Sequence, residues 1–564
     1  MRKLFAIALL TLVASVASAD DISFRSMQSG WFNGDTPLFD HGIYGQRQII
    51  AILDTGLDWD SCYFAEPDGS RPPINTGSPA GGLNSSNVDT TRRKVIAYDF
   101  LYSCDQFPAA FRCDDPSDPT AYDNARHGTL AAEVAAGDKG APLIHDDAAD
   151  GIAPGAKIIV QDGGFIGGDN CSQRPGFGCP VNLTPILDQA YRQGARIHSN
   201  SWGDRQNTPS FLPTPTANYS AGARDVDAFV WLHPDMLVVF DTGNQATNTP
   251  PAASSVPAPG CAKNTLQVGG TRYTSLHGFD DVVTPFSLIG PTRDGRIKPD
   301  LVAPSYVLAG DSDGDVTTHD CVTSWQSGTS WSAPSVAGAA ALVRQYFTDG
   351  FYPTGAATPS NAFVPSAALL KGMLIAAARS VPNDWIYNSG LTPAKPAPSY
   401  EQGFGFPVLD DALYFPGDRA RVRVADVPLA RGLTQGDTAT LRLSVAAGTP
   451  LKVVLVWTDP AGTPRLVSDP TPELVNDLDL RVTDAAGATL LGNESLHPGQ
   501  SDRLNNVEVI SIVEPAGGLY TISVAAAHLG AGPRQSYALV ITGDLTDAIP
   551  AMVNTSARTR AARH

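Results

Sequence analysis

The distribution of apolar positions gives the chain two textures. Up to Phe415 the apolar residues gather in unbroken runs of strand length, at residues 49–53, 158–160 and 237–240. A strand covered on both faces, as in a parallel sheet, reads this way, whereas a half-exposed strand alternates. Helical stretches separate these runs. An Ala-rich one opens at His127 and closes at Gly137, an amphipathic one covers 183–193, and a run of small residues over 333–343 reads as a buried helix. Strands alternating with helices predict a parallel α/β sheet whose site lies at the C-terminal ends of the strands. From Arg419 onward the pattern changes to short alternating runs at 438–445, 451–457, 478–482, 507–512 and 520–524, separated by Gly, Pro and Asp. That is the signature of an all-β sandwich. The expected organisation is an α/β domain over 20–415, a β-sandwich over 416–546, and a basic tail over 547–564 that frays.

Residues 1–19 read as an export signal, with Arg2 and Lys3 ahead of an apolar run and Ala17-Ser18-Ala19 as a small-residue cleavage site. The run is short of the roughly 20 residues a membrane span requires. A soluble protein, extracellular or periplasmic and without a membrane partner, is expected. The composition, 42% hydrophobic and 17% charged, is that of a globular chain. Its formal charge of −18, or −20 once Arg2 and Lys3 are removed, disfavours nucleic acid as a partner. Export permits disulfides, and the spacings Cys104/Cys113 and Cys171/Cys179 suggest two local staples. Cys62, Cys261 and Cys321 remain, and their pairing is open.

The chemistry lies in four places. Asp54-Thr55-Gly56 puts a carboxylate at the end of a buried strand, and His127 opens a helix. Asn244 follows another buried strand in Gly243-Asn244, and Ser330 ends a Gly328-Thr329-Ser330 turn before the small-residue helix. A helix N-terminus favours the negative charge that develops when a hydroxyl attacks a carbonyl. Orienting acid, general base, oxyanion donor and nucleophile are the parts of a nucleophilic hydrolase. With Asn200-Ser201-Trp202-Gly203 these motifs, in this order, make the chain resemble the subtilisin-like serine proteases (subtilases).

The resemblance implies that Asp54 orients His127, that His127 takes the proton of Ser330, and that Asn244 with the Ser330 N–H stabilises the oxyanion. It also implies that Ser201, Trp202 and Gly203 form the substrate-binding strand. It further implies polypeptide substrates, a monomer, and chemistry that requires no cofactor. Only 34 positions separate the expected cleavage after Ala19 from Asp54, so the family's usual inhibitory folding segment is not expected there. Either folding proceeds without it or helper regions lie elsewhere. Trp331 stands where common subtilisins have methionine, which predicts tolerance of peroxide. Asp241 stands where relatives carry a small neutral residue. Facing the primary pocket it would select a basic side chain; facing away it leaves the usual preference for large apolar ones, which is the expectation here.

Val456-Trp457-Thr458-Asp459-Pro460 and Asn476-Asp477-Leu478-Asp479 give the second region a resemblance to the C-terminal jelly-roll of oxidatively stable alkaline subtilases. Asp459, Asn476, Asp477 and Asp479 are candidate ligands of a structural Ca²⁺, with cross-strand hydrogen bonding as the equal alternative. Three further features point elsewhere. Gly310-Asp311-Ser312-Asp313-Gly314 matches an esterase nucleophile elbow, but lies in an Asp-rich turn without the required strand and helix. His198 sits mid-strand and reads as structural. Asp114, Asp115, Asp118 and Asp123 fit no ligand spacing and read as a solvated turn. A fold without turnover, serving binding alone, is the other rival reading.

Overall fold

The computed structural model describes residues 23–31, 35–77, 82–101, 112–113, 117, 122–123, 126–140, 149–166, 182–203, 217–245, 250–273, 282–386, 390–465, 468–545 and 553–555. The expected signal, Cys104, Cys171, Cys179, Asp114, Asp115 and Asp118 lie outside them.

The first region is built on one sheet. Its parallel core runs β7–β6–β5–β1–β4–β3–β2, where β1 is Ile49–Asp54, β2 Ile74–Thr76, β3 Val95–Phe100, β4 Lys157–Asp162, β5 Ile197–Asn200, β6 Leu237–Asp241 and β7 Leu266–Arg272. Every residue of β3, β5 and β6 is buried; β6 meets this with an unbroken apolar run over 237–240, while β5 buries His198, Ser199 and Asn200. Helices α1 (His127–Ala136), α2 (Thr184–Arg192), α3 (Ala221–Leu232), α4 (Ser332–Thr348) and α5 (Ala367–Ala376) flank the sheet. Helix α4 passes beneath it, with contacts to β1, β5, β6 and β7. Its small side chains allow that approach: a Cβ on Gly338 would lie 2.7 Å from the Ala135 carbonyl of α1. A hairpin of β8 (Tyr306–Gly310) and β9 (Thr323–Ser327) leads into the Ser330 turn.

The second region is a sandwich of two antiparallel sheets. One orders β10 (Arg421–Val427), β17 (Tyr537–Gly543), β12 (Leu451–Val456) and β15 (Val507–Ile512). The other orders β14 (Thr489–Leu491), β13 (Asn476–Thr483), β16 (Gly518–Leu529), β11 (Thr438–Val445) and β18 (Val553–Thr555). Leu441, Leu443, Val453, Leu455, Leu480, Ile522, Leu539 and Ile541 fill the space between them. The four-stranded sheet is buried on its other face too, where Val454, Val456, Ala538 and Val540 join the core of the first region. Gly372 of α5 makes that packing close, since a Cβ there would lie 3.2 Å from Val540 and 3.5 Å from Val456.

One expectation changes here, and one pairing left open closes. The stretch expected to fray contains β18, which pairs with β11 through Thr438↔Thr555 and Ala439↔Asn554. An edge strand offers unpaired N–H and C=O groups, and this segment takes them up. The open cysteine pairing resolves as a Cys62–Cys321 disulfide spanning 259 positions. Cys261 is buried, and its Sγ donates to the Asn218 carbonyl at 3.0 Å.

Candidate active site

Asp54 is the last residue of β1, and its Oδ1 lies 2.7 Å from His127 Nδ1, with both side chains buried. The Thr55 N–H donates to the same oxygen at 2.8 Å. Two glycines let the turn after Asp54 press against the start of α1. Gly56 has φ +113°, and a Cβ there would fall 1.8 Å from the Tyr122 carbonyl; a Cβ on Gly128 would fall 2.0 Å from the Gly56 carbonyl. Arg126, the residue before His127, is left-handed at φ 58° and pairs with Asp311 at 2.8 Å.

Asp123 corrects the solvated-turn expectation. It is buried, and its two oxygens accept from Thr55 Oγ1 at 2.8 Å and from Thr129 N and Oγ1 at 2.8 and 2.7 Å. It thereby ties the turn after Asp54 to the first turn of α1. Burial pushes its carboxyl above the ordinary range, opposed by these hydrogen bonds. No sequence signal marks it beyond its place four residues before His127.

Ser330 is reached through its neighbours. On one side the Thr329 N–H donates to Asn244 Oδ1 at 2.9 Å, and the Thr329 hydroxyl donates to Asp241 Oδ2 at 2.8 Å. On the other, the Trp331 ring packs against the His127 ring with centroids 5.0 Å apart. Ser330 itself is held by its carbonyl, which accepts from Ser201 Oγ at 2.7 Å. His127 Nε2 is buried and makes no hydrogen bond among the described residues. The structure thus joins Asp54 directly to His127 and packs the residue after Ser330 against the imidazole, Ser330 itself lying two residues before α4. A base–nucleophile bond in such sites often tightens only when substrate arrives.

The remaining sequence candidates sort as follows. Ser201 lies beside Ser330, while Trp202 packs edge-on to Phe240 at 5.4 Å, and Gly203 is pressed on Pro257. Asp241 does not offer its carboxylate to an open pocket: it is buried, and burial pushes it up to about 6. His198 donates from Nε2 to Gln161 Oε1 at 2.8 Å and accepts at Nδ1 from Asn200 Nδ2 at 3.0 Å, and burial pushes it down to about 3. Ser312 lies in the loop between β8 and β9, its hydroxyl donated to Asp58 at 2.9 Å. The candidate Ca²⁺ ligands are engaged by protein groups. Asp459 pairs with Lys263 and accepts from Val475 N and Asn476 N, the Asn476 amide bonds Ala531 and Gln535, and Asp477 and Asp479 face Arg503. Among the described residues no group of three or more His, Cys, Asp or Glu side chains is arranged to hold a metal.

The subtilase family model matches residues 45–405, and the chain belongs to that family. Among curated relatives, the serine protease/ABC transporter B family protein tagA of Dictyostelium discoideum is 27% identical over 92% of this chain. Bacillopeptidase F of Bacillus subtilis is 23% identical over 54% of it. The chain spans 31% and 18% of those two proteins. Among solved structures, a serine protease of Aeromonas sobria aligns over 93% of this chain and 94% of its own, at 15% identity and a TM-score of 0.40. No helix among the described residues is long and apolar enough to cross a membrane.

Proposed function

We propose that this chain is a secreted serine endopeptidase that cleaves polypeptides through an acyl-enzyme. The observation that carries the reading is the buried Asp54–His127 pair at 2.7 Å, packed through the imidazole onto the residue that follows Ser330. Asp54 holds Nδ1–H, so Nε2 is the nitrogen left to accept a proton. Ser330 Oγ attacks the scissile carbonyl as His127 Nε2 takes its proton, and Asp54 stabilises the imidazolium. The oxyanion forms at Asn244 and the Ser330 N–H, the positive end of the α4 dipole. Asn244 is suited to this because its Oδ1 is occupied by the Thr329 N–H, which leaves the amide N–H groups as the donors free for an oxyanion. Collapse of the tetrahedral adduct expels the amine, protonated by His127, and water repeats the sequence to release the acid. The peptide lies extended beside residues 201–203. With the Asp241 carboxylate buried against Thr329, a large apolar side chain before the scissile bond is the preferred one.

The test is active-site labelling by a fluorophosphonate, followed by mapping of the modified peptide. Label on Ser330 is expected. Label on Ser312 would move the assignment to an esterase, and no label would leave a binding protein on the same fold. N-terminal sequencing of the exported protein should begin after Ala19.

A further inference from the structure

We propose that Asp241 is a positioning residue of the oxyanion half of the site, acting through the Thr329 hydroxyl; the inference rests on the serine-protease reading. Asp241 closes β6, three residues before Asn244, and is almost wholly buried at 2% exposure. Its Oδ2 accepts from Thr329 Oγ1 at 2.8 Å, and the N–H of the same threonine donates to Asn244 Oδ1 at 2.9 Å. One side chain therefore fixes both the Gly328-Thr329-Ser330 turn and, through it, the direction in which the Asn244 amide points. Its main-chain carbonyl accepts from Gln267 Nε2 at 3.3 Å, which pins the end of β6 to β7.

A neutral acceptor would serve that hydrogen bond at less cost. Asp241 Oδ1 is buried with no hydrogen-bond partner among the described residues, no Lys or Arg among them forms an ion pair with the carboxylate, and besides Thr329 only the Gly243 N–H favours its charged form through the backbone. The charged groups facing it are His127 and Asp54. Ionised, Asp241 makes its bond to Thr329 a charge-assisted one and adds a second negative charge near the imidazole. Burial pushes the carboxyl up to about 6, so its charge changes within the range where such an enzyme works.

Steady-state kinetics on a peptide substrate from pH 5 to 9 test this with D241A, D241N, T329V and D241A/T329V, after fluorophosphonate labelling of the wild type. Label on Ser330 upholds the protease reading whatever the variants do, and its absence sinks that reading separately. D241A and T329V should each lower kcat by about tenfold with KM within about twofold, the pattern of an interaction felt in the transition state. The double variant should be no worse than the weaker single one, because both remove the same bond. D241N keeps an acceptor and should recover most of the kcat, with the acid limb of its kcat/KM profile at lower pH than wild type. Unchanged kcat in D241A, or a raised KM at constant kcat, would overturn the proposal, the latter placing Asp241 in a substrate pocket. Should D241A fail to fold, a D241N acid limb coincident with wild type, or full activity in T329V, would overturn it equally.

Discussion

Lys263→Met should cost the protein about 4 kcal/mol of stability, although Lys263 makes no contact with Asp54, His127 or Ser330 among its hydrogen bonds and ion pairs. Its Nζ, wholly buried, forms an ion pair with Asp459 of the sandwich and donates to the carbonyls of Pro460 at 2.6 Å and Glu473 at 2.8 Å. Methionine fills much of the volume but leaves three buried acceptors facing carbon. Removing one partner of a buried pair costs about 3–5 kcal/mol, and an orphaned carbonyl about 1–3 kcal/mol where it cannot find water. Asp459 is not stranded completely, because it keeps the Val475 and Asn476 N–H groups at 2.9 and 2.7 Å. Burial already holds its carboxyl above the ordinary range, so it can respond by taking a proton, and with the carbonyls finding water the total stays within the range for the pair alone, at about 4 kcal/mol. The assay is urea unfolding in an S330A background, so that self-digestion does not enter. With a slope of about 3 kcal/mol/M, the midpoint should fall by about 1.3 M. In K263M/D459N the carboxylate is gone, and the pair should show a coupling of about 1–3 kcal/mol. A loss under about 1 kcal/mol, or strict additivity, would refute the view that this pair carries a share of the seam between the two regions.

Four further outcomes follow from the site and its surroundings. Ser330→Ala should lower turnover about 10⁶-fold and Asn244→Ala about 10²–10³-fold, as the equivalent losses do in a subtilisin, measured by single-turnover hydrolysis. Asp99 is fully buried and pushed up to about 7; its Oδ1 accepts from Asn75 and Gln193, while Oδ2 is without a partner among the described residues. An acid with a raised folded pKa favours the folded state fully only below its unfolded value of about 4, and loses that advantage as pH rises from there through about 7. Asp99→Asn should therefore come nearest to wild type near pH 4 and be the more stable at pH 9 in urea titrations. Cys321→Ser opens a loop of 259 positions and should cost about 3–5 kcal/mol, read by the same titration with and without a reductant as control. Wild type should keep its activity in dilute hydrogen peroxide while Trp331→Met loses it, since Trp331 is buried against His127 where sulfoxide formation would disturb the imidazole.

What could be read from the sequence was whatever has a one-dimensional signature. Strands β1, β4 and β6 announce themselves because burial on both faces demands apolar residues along most of their length. The four catalytic candidates were legible because each sits at a strand end or a helix start, flanked by the glycines that tight approach requires. Residues 537–543 form a strand buried throughout but lack the alternation that marks a sandwich strand in the sequence. The alternation is missing for a tertiary reason: Val540 faces α5 while Leu539 and Ile541 face the other sheet. Asp123 was equally opaque, since its partners Thr55 and Thr129 lie 68 residues before it and 6 after it and carry no pattern of their own.

The break near Phe415 is likewise one-dimensional. The texture of the sequence changes there, but the packing does not stop. The four-stranded sheet completes the core that α5 begins, and Asn264 accepts from Asp459 N and donates to Asp459 O at 2.9 Å each way. The Asp294 carboxylate accepts from Arg296 at 2.7 Å and from Glu473 N at 3.2 Å. Groups like these cannot be rehydrated cheaply in part, because each bond lost leaves a polar atom in a dry seam. The sandwich is therefore expected to unfold with the catalytic region rather than before it, and to act as a fixed wall for the elements that carry the site. Between Lys263 of that seam and Asp241 of the site lies the short stretch through Gln267, whose amide reaches the Asp241 carbonyl. A defect at the seam should thus register first as a loosened β6 and β7, and only through them as lost turnover.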